Sequence, residues 1–270
     1  MIRSTIKQVQ YILAQKSLIS QFTRREISNR YKGSYLGIVW SFITPLIMLT
    51  IYTFVFSVIF QARWGTSGET NKVEFALLLF TGLVVFNVFS EVISRAPSLI
   101  IANSNYVKKV IFPLEILPIV TLGSALFQAV ISYVILILAM LILTGTFYWT
   151  AILFPIIILP LLLMILGLAW FLASLGVYIR DIGQVISIAI PALMFMSPIF
   201  YPISSIPEEF RFIYSLNPIT YTVEDMRKVI IWGQHPHWNG LIIEMLIGII
   251  VAVLGYTWFK KTRKGFADVL

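Results

Sequence analysis

Residues 116–179 read ILPIVTLGSALFQAVISYVILILAMLILTGTFYWTAILFPIIILPLLLMILGLAWFLASLGVYI, and between Glu115 and Arg180 not one residue carries a charge. About 20 apolar residues suffice to traverse the hydrocarbon layer of a bilayer, so this run is long enough to cross twice. Its only break is Thr144-Gly145-Thr146, just before Tyr148-Trp149. The pattern predicts two spans, Glu115–Leu143 and Thr150–Ile179, joined as a tight helical hairpin. Working outward, four more stretches are long and apolar enough: Tyr35–Phe60, Phe75–Ser94, Gln184–Pro202 and Gly240–Phe259. Trp149, Trp238, Tyr256 and Trp258 fall at span ends, where amphipathic rings favour the interface. Long apolar runs satisfy their own backbone hydrogen bonds as helices, whereas a barrel would show alternating segments of about ten residues. The expected fold is an all-α integral membrane protein with six transmembrane helices.

Composition agrees. Of the 270 residues 59% are hydrophobic and 12% charged, with a mean hydropathy of +0.89, whereas a soluble chain carries about 25% charged residues. The absence of cysteine excludes disulfides, thiol catalysis and thiolate metal sites. A net charge of +8 in a chain like this records orientation rather than affinity for nucleic acid. With both termini, the 95–114 loop and Arg180-Asp181 placed on one side, that side holds fifteen of the twenty lysines and arginines. The excess predicts both termini in the cytoplasm.

Residues 1–34 are interrupted by Arg3, Lys7, Lys16, Arg24, Arg25, Arg30 and Lys32 and lack a signal-peptide pattern. Within them Ile2, Ile6, Val9, Ile12 and Leu13 recur at helical spacing, which reads as an amphipathic helix on the bilayer surface or packed on a partner. The basic stretch Arg24–Lys32 is either a partner-binding helix or charge for lipid headgroups. Between Arg95 and Pro113, Asn103-Ser104-Asn105-Tyr106-Val107-Lys108-Lys109 has the size of a docking helix, or of a solvated loop. In 203–239, Ser205-Ile206-Pro207-Glu208 has a capping-box pattern opening a helix to about Leu216. Asn217-Pro218 then caps a second helix whose Val223, Met226 and Ile230 share a face, with Glu224, Asp225 and Arg227 on others. The pair either dips into the bilayer or forms an interfacial hairpin. Pro191 and Pro198 predict a kink in the fifth span.

No phosphate loop of the form G-x-x-x-x-G-K-[ST] exists, and no ionisable residue falls deep inside a predicted span. That argues against an ion-coupled carrier. His235-Pro236-His237 has no third ligand nearby, so no metal site is expected. Glu208-Glu209 and Glu224-Asp225 are neighbours in sequence and read as solvated faces, not acid–base pairs. Tyr52, Phe56 and Phe60 stack at i, i+4, i+8 on the first span, with Phe86 and Phe89 on the second. Such rings pack on helices and lipid, or offer faces to sugar C–H groups.

Arg25-Glu26-Ile27-Ser28-Asn29-Arg30-Tyr31-Lys32-Gly33-Ser34-Tyr35-Leu36-Gly37-Ile38-Val39-Trp40-Ser41 followed by Pro45-Leu46 resembles the opening of permease subunits of bacterial polysaccharide ABC exporters, the family that exports O-antigen, capsule and teichoic acid. Asn103–Lys109 with Phe112-Pro113, Arg180-Asp181-Ile182, Ser197-Pro198-Ile199-Phe200-Tyr201-Pro202 and Leu216-Asn217-Pro218 resemble its later landmarks, in order, over essentially the whole chain. The resemblance implies one permease domain over 1–270, in the bacterial inner membrane, working as a homodimer with two separate ATP-binding subunits that carry the ATP and magnesium. No cofactor is implied on this chain. Residues 1–34 then supply the interface helix, and Asn103, Ser104, Asn105, Tyr106, Val107, Lys108 and Lys109 the coupling helix. The segment 203–239 becomes a periplasmic gate, with Phe200, Tyr201, Phe212, Tyr214 and Tyr221 as its aromatics. A polyprenyl-diphosphate glycan, O-antigen foremost, enters past Arg24, Arg25, Arg30 and Lys32 and moves along Tyr52, Phe56, Phe60, Phe86 and Phe89. The competing classes are a permease for another lipid, teichoic acid or a drug, and a membrane-embedded glycosyl- or acyltransferase, for which no convincing acidic or histidine pair exists.

Overall fold

The computed structural model describes residues 10–12, 14–59, 72–109 and 112–270, and among them there is no strand. Helix α1 (Lys16–Tyr31) leads to α2 (Trp40–Thr53), which is entered through a 3-10 turn at Gly37–Val39 and continues as a π-helix over Phe54–Ile59. Then follow α3 (Lys72–Arg95), the short α4 (Ser104–Lys109), α5 (Ile116–Thr144) and α6 (Phe154–Tyr178). The remainder is α7 (Ile182–Phe195), α8 (Glu208–Ser215), α9 (Pro218–Ile230), α10 (Trp238–Thr262) and α11 (Phe266–Val269). Most of the surface helix expected at Ile2–Leu13, and Phe60 with it, lies outside the described residues.

Among the described residues, four helical stretches are long and apolar enough to cross a membrane: Lys72–Ala102, Ile116–Thr144, Trp149–Tyr178 and Trp238–Val269. The uncharged run divides where expected: α5 ends at Gly145, whose φ of +67° is open to glycine without strain. Tyr133 donates to Ala151 O at 2.7 Å and stacks on Phe154 at 4.1 Å, which closes the hairpin. Gly37–Thr53 and Ile182–Phe195 are shorter apolar helices.

Two expectations are corrected. The stretch 184–202 is not one kinked helix: α7 tolerates Pro191 inside it but stops at Phe195, and a bend occupies 196–202. Pro198 has no N–H to give and pushes Ser197 away from helical geometry. The capping box at Ser205 does not form either. Ser205 ends a 3-10 turn, Pro207 precedes α8, and Glu208 is its first residue rather than its third.

Helix α3 is the centre, buried along most of its length against α2, α5, α6, α7 and α9. The tightest pair is α6 with α10, packed backbone on backbone. A Cβ at Gly255 would stand 2.0 Å from Gly167 O, one at Gly167 2.3 Å from Val251 O, and one at Gly248 2.6 Å from Pro160 O. Helices in lipid gain from such close approach because no hydrophobic force drives them together. Ser174 and Thr262 add a hydroxyl–hydroxyl hydrogen bond of 2.6 Å across the same seam.

The chain has two distinct ends. At one, α1, α4 and the C-terminal segment gather around Leu99, Ile100, Phe112, Phe259 and Phe266. At the other, the α5–α6 turn meets the α9–α10 connection: Thr150 Oγ1 donates to Val229 O at 2.6 Å and Trp149 sits edge-on to His235 at 5.6 Å.

Candidate functional site

A cleft of about 460 Å³ lies between α1, α2, α3 and α5. Its mouth, at the end where α1 and α4 meet, holds Arg30 and Glu91; its depth reaches Tyr52 and Met194. Between them the wall is uncharged and mainly apolar, with Tyr31, Asn87, Gln128 and Ser132 among its polar groups. Tyr31 donates to Gln128 Oε1 at 3.0 Å, and Gln128 donates to Ser41 O at 2.7 Å, so α1, α5 and α2 are tied across the cleft floor. Uncharged amide and hydroxyl groups beside aromatic faces can hydrogen-bond and stack on polyhydroxylated chains without a large desolvation penalty.

The basic residues expected at an entrance divide by what they touch. Arg30 pairs with Glu91 through both terminal nitrogens, Arg95 pairs with Glu26, and Arg95 lies 3.6 Å from Glu91. The four groups form one ionic chain linking α1 to the end of α3, with their side chains roughly a quarter to a third exposed. Arg25 instead lies over the Phe22 ring at 4.3 Å and donates to Tyr106 Oη at 3.0 Å, which fastens α1 to α4.

Helix α4 is braced from three directions. Tyr106 stacks on Phe112 at 4.6 Å and meets Phe22 edge-on at 5.8 Å, Val107 packs into the same apolar cluster, and Lys108 donates to Leu270 O. Just before it Asn103 donates to Leu99 O at 2.9 Å, so the turn is locked to its own chain. Ser104 opens the helix, and Asn105 and Lys108 are exposed, leaving a small polar face on a rigid mount; Lys109 ends it.

Of the aromatics, Tyr52 lines the cleft and approaches Phe200 at 6.2 Å, so the first span and the 196–202 bend meet there. Phe86 and Phe89 are 2% and 5% exposed and pack 6.3 Å apart in the core. Phe56 belongs to the π-helix after α2. The hydroxyls of Tyr201 and Tyr214 are 2.7 Å apart, and Tyr201 also donates to Phe195 O. Phe212 and Tyr221 are exposed on α8 and α9.

The bend itself is held by α9. Asn217 caps that helix, accepting from Ile219 N at 3.0 Å, and its amide donates to Ser197 Oγ at 2.9 Å and Met196 O at 3.3 Å. Arg227, fully buried, donates to Pro198 O at 2.6 Å, Ile199 O at 3.0 Å, Leu78 O on α3 at 3.1 Å and Glu224 at 2.9 Å. Burial lowers its pKa to about 10 against the opposing pull of Glu224, so it remains a cation at neutral pH. The sequence pattern sets Arg227 off the apolar face of its helix and gives no sign of this role. Asn87, Gln128 and Ser132 were missed as well, although Asn87 with Glu91 and Gln128 with Ser132, each four residues apart on an apolar helix, were a visible signal.

Residues 17–231 match the model of the ABC-2 type transporter family. The O-antigen export system permease protein RfbA of Klebsiella pneumoniae is 26% identical over 255 residues, covering 94% of this chain and 95% of its own. The protein of the same name from Myxococcus xanthus is 24% identical over 265 residues, 97% of this chain and 99% of its own. The polysialic acid transport protein KpsM of Escherichia coli is 26% identical over 253 residues, 93% and 95%.

Proposed function

The chain belongs to the ABC-2 type transporter family, a family of multi-pass membrane permeases, and from that premise we propose that it is the channel-forming permease of an ATP-driven exporter moving a polyprenyl-diphosphate-linked polysaccharide of the O-antigen kind across the bacterial inner membrane. The observation that carries this reading is similarity over nearly the whole chain to proteins named for O-antigen export, and the neutral, aromatic-flanked cleft supports it. Two copies form the pore, each seated through Asn103–Lys109 on an ATP-binding subunit that holds the nucleotide and magnesium. No cofactor is needed on this chain. The end carrying α1, α4 and the C-terminal segment faces the cytoplasm, the side to which the sequence topology assigns fifteen of the twenty lysines and arginines.

Six crossings follow if the two short helices count. Helix α7 alone is about 21 Å long at 1.5 Å per residue, short of a core about 30 Å thick; the bend at 196–202 completes it. Irregular backbone at membrane depth is tolerated only when buried in protein, and Arg227 and Asn217 meet that need. In this reading 203–239 is the outer gate, Tyr52 and Phe200 bound the glycan path below it, and Arg24, Arg25, Arg30 and Lys32 surround the diphosphate at the entrance, Arg30 by exchanging Glu91 for phosphate. The similarity to a polysialic acid transport protein favours a capsule-type glycan as the second reading.

The test is reconstitution of the chain with its ATP-binding subunit in vesicles supplied with lipid-linked glycan. Translocation should need both proteins and ATP, and should leave the glycan's mass unchanged. Transfer by the chain alone, or a change in glycan mass, refutes the permease reading. Comparing O-antigen with capsule glycan in the same vesicles separates the two cargoes.

A further inference from the structure

A second cavity of about 320 Å³, sharing no lining residue with the cleft, lies between α6, α9 and α10. Its walls include Leu161, Met164 and Ile247, and its polar groups are Glu244, Tyr221 and Thr222. Glu244 Oε1 is buried without a hydrogen-bond partner. Lys228 on α9 bonds Asp225 at 3.1 Å and lies 2.5 Å from His237 Nδ1. An ionised carboxylate in such surroundings is costly unless a cation meets it. The cavity is of the size that holds small ligands.

Three features narrow the occupant. One carboxylate is too few oxygens for a hard metal ion, which takes six or more. Glu244 lies six residues after Trp238, about 9 Å along the helix axis, and Trp238 marks the interface by its type and position. The cavity is therefore entered from the bilayer rather than from water, past Ile243 and Ile247, which are exposed on the apolar outer face of α10. A ligand reaching it must carry one positive charge, offer N–H donors and bring hydrocarbon of its own.

We infer that this cavity is a lipid site in which Glu244 receives the primary ammonium of a phosphatidylethanolamine headgroup, with the acyl chains lying against the apolar face of α10. The site is independent of the exported cargo. Its occupant braces α9 against α6 and α10 from the side opposite the 196–202 bend.

The test is lipid retention by the purified full-length chain, read by native mass spectrometry. The chain is taken from vesicles of phosphatidylethanolamine with phosphatidylglycerol, of phosphatidylcholine with phosphatidylglycerol, and of phosphatidylglycerol alone. Phosphatidylethanolamine should be retained over phosphatidylcholine, which keeps the charge but has no N–H, by on the order of tenfold, the worth of one charge-assisted hydrogen bond. Glu244→Gln should abolish the preference and Glu244→Asp keep part of it. If Glu244→Gln does not fold, Met164→Phe, which narrows the cavity and leaves the carboxylate in place, should lose the lipid instead. Equal retention of the three lipids by the unaltered chain, an undiminished preference for phosphatidylethanolamine in Glu244→Gln, or no retained lipid in any sample overturns the inference. Each of these readings is independent of export, so failure here leaves the transport proposal standing.

Discussion

Replacing Arg227 by methionine removes the guanidinium while keeping most of the side chain's volume, which isolates its hydrogen bonds from a cavity effect. Leu78 O lies within α3, but Pro198 O and Ile199 O belong to a bend outside any helix. A buried carbonyl that loses its donor costs about 1–3 kcal/mol, so these two lose about 2–6 kcal/mol together. Relief from burying a cation offsets part of that, and Glu224, partly exposed, recovers some solvation. The net expectation is a loss of about 2–4 kcal/mol. At 2–4 °C per kcal/mol for a chain of this order of size, thermal unfolding in mild detergent should fall by roughly 5–15 °C. Arg227→Lys, with donors on one nitrogen instead of a planar fork, should fall between.

Because the chain has no cysteine, Tyr201→Cys is a clean reporter on the bend. Its labelling by a soluble maleimide should rise when Arg227→Met is added. An Arg227→Met chain that unfolds within about 2 °C of the unaltered one, with labelling at position 201 unchanged, would refute the assignment of Arg227 as the bend's anchor.

Gly255→Ala forces a Cβ to 2.0 Å from Gly167 O, and since backbone must move to admit it, it should cost at least the ~1–3 kcal/mol of ordinary overpacking; Gly183→Ala, with nothing within 4 Å, should stabilise by up to ~1 kcal/mol in the same unfolding assay. Exchanging the partners as Arg30→Glu with Glu91→Arg should recover most of the stability lost in either single variant, about 1 kcal/mol each after discounting for solvent; a double variant no better than the sum of the two denies the pair any role. Tyr106→Ala, which removes the stack on Phe112 and the hydroxyl that Arg25 donates to, should lower co-purification of the ATP-binding subunit along with about 2–4 kcal/mol of stability, whereas Tyr106→Phe should keep the stack and bind the subunit normally.

The helical framework was legible because lipid imposes a plain rule: a backbone that cannot bond to water must bond to itself, and 64 uncharged residues broken once, at Thr144-Gly145-Thr146, leave few other readings. Asn217-Pro218 was legible for a related reason, since a cap and the proline behind it act within three residues. Arg227 was not. Amphipathic patterning assigns a charged residue to solvent, and it cannot register that unpaired carbonyls from a bend about 30 positions earlier wait on the apolar side. The capping-box pattern at Ser205 failed for the opposite reason: a local match was overridden when the 3-10 turn ahead of Pro207 moved the start of α8 past it. The cleft was half legible, its aromatic and basic residues by type and its amides only by their helical spacing.

Side-chain bonds, rather than continuous helix packing, join both ends of the cleft to the segments beyond it. At the far end Tyr52 meets Phe200 in a bend that α9 holds through Arg227 and Asn217. At the near end Arg30 and Glu91 close the mouth, and Arg25 ties the same α1 helix to Tyr106 on α4. Closely packed cores resist continuous deformation, whereas exchangeable hydrogen bonds and ion pairs can adopt a second set of partners. The α6–α10 seam, locked glycine against carbonyl, therefore serves as the fixed frame. Movement of α4 has a path to the cleft mouth through α1, and movement of α9 a path to its depth through the bend. In the proposed export cycle, with drive arriving at α4 and the gate at 203–239, those two joints would move against a frame that does not.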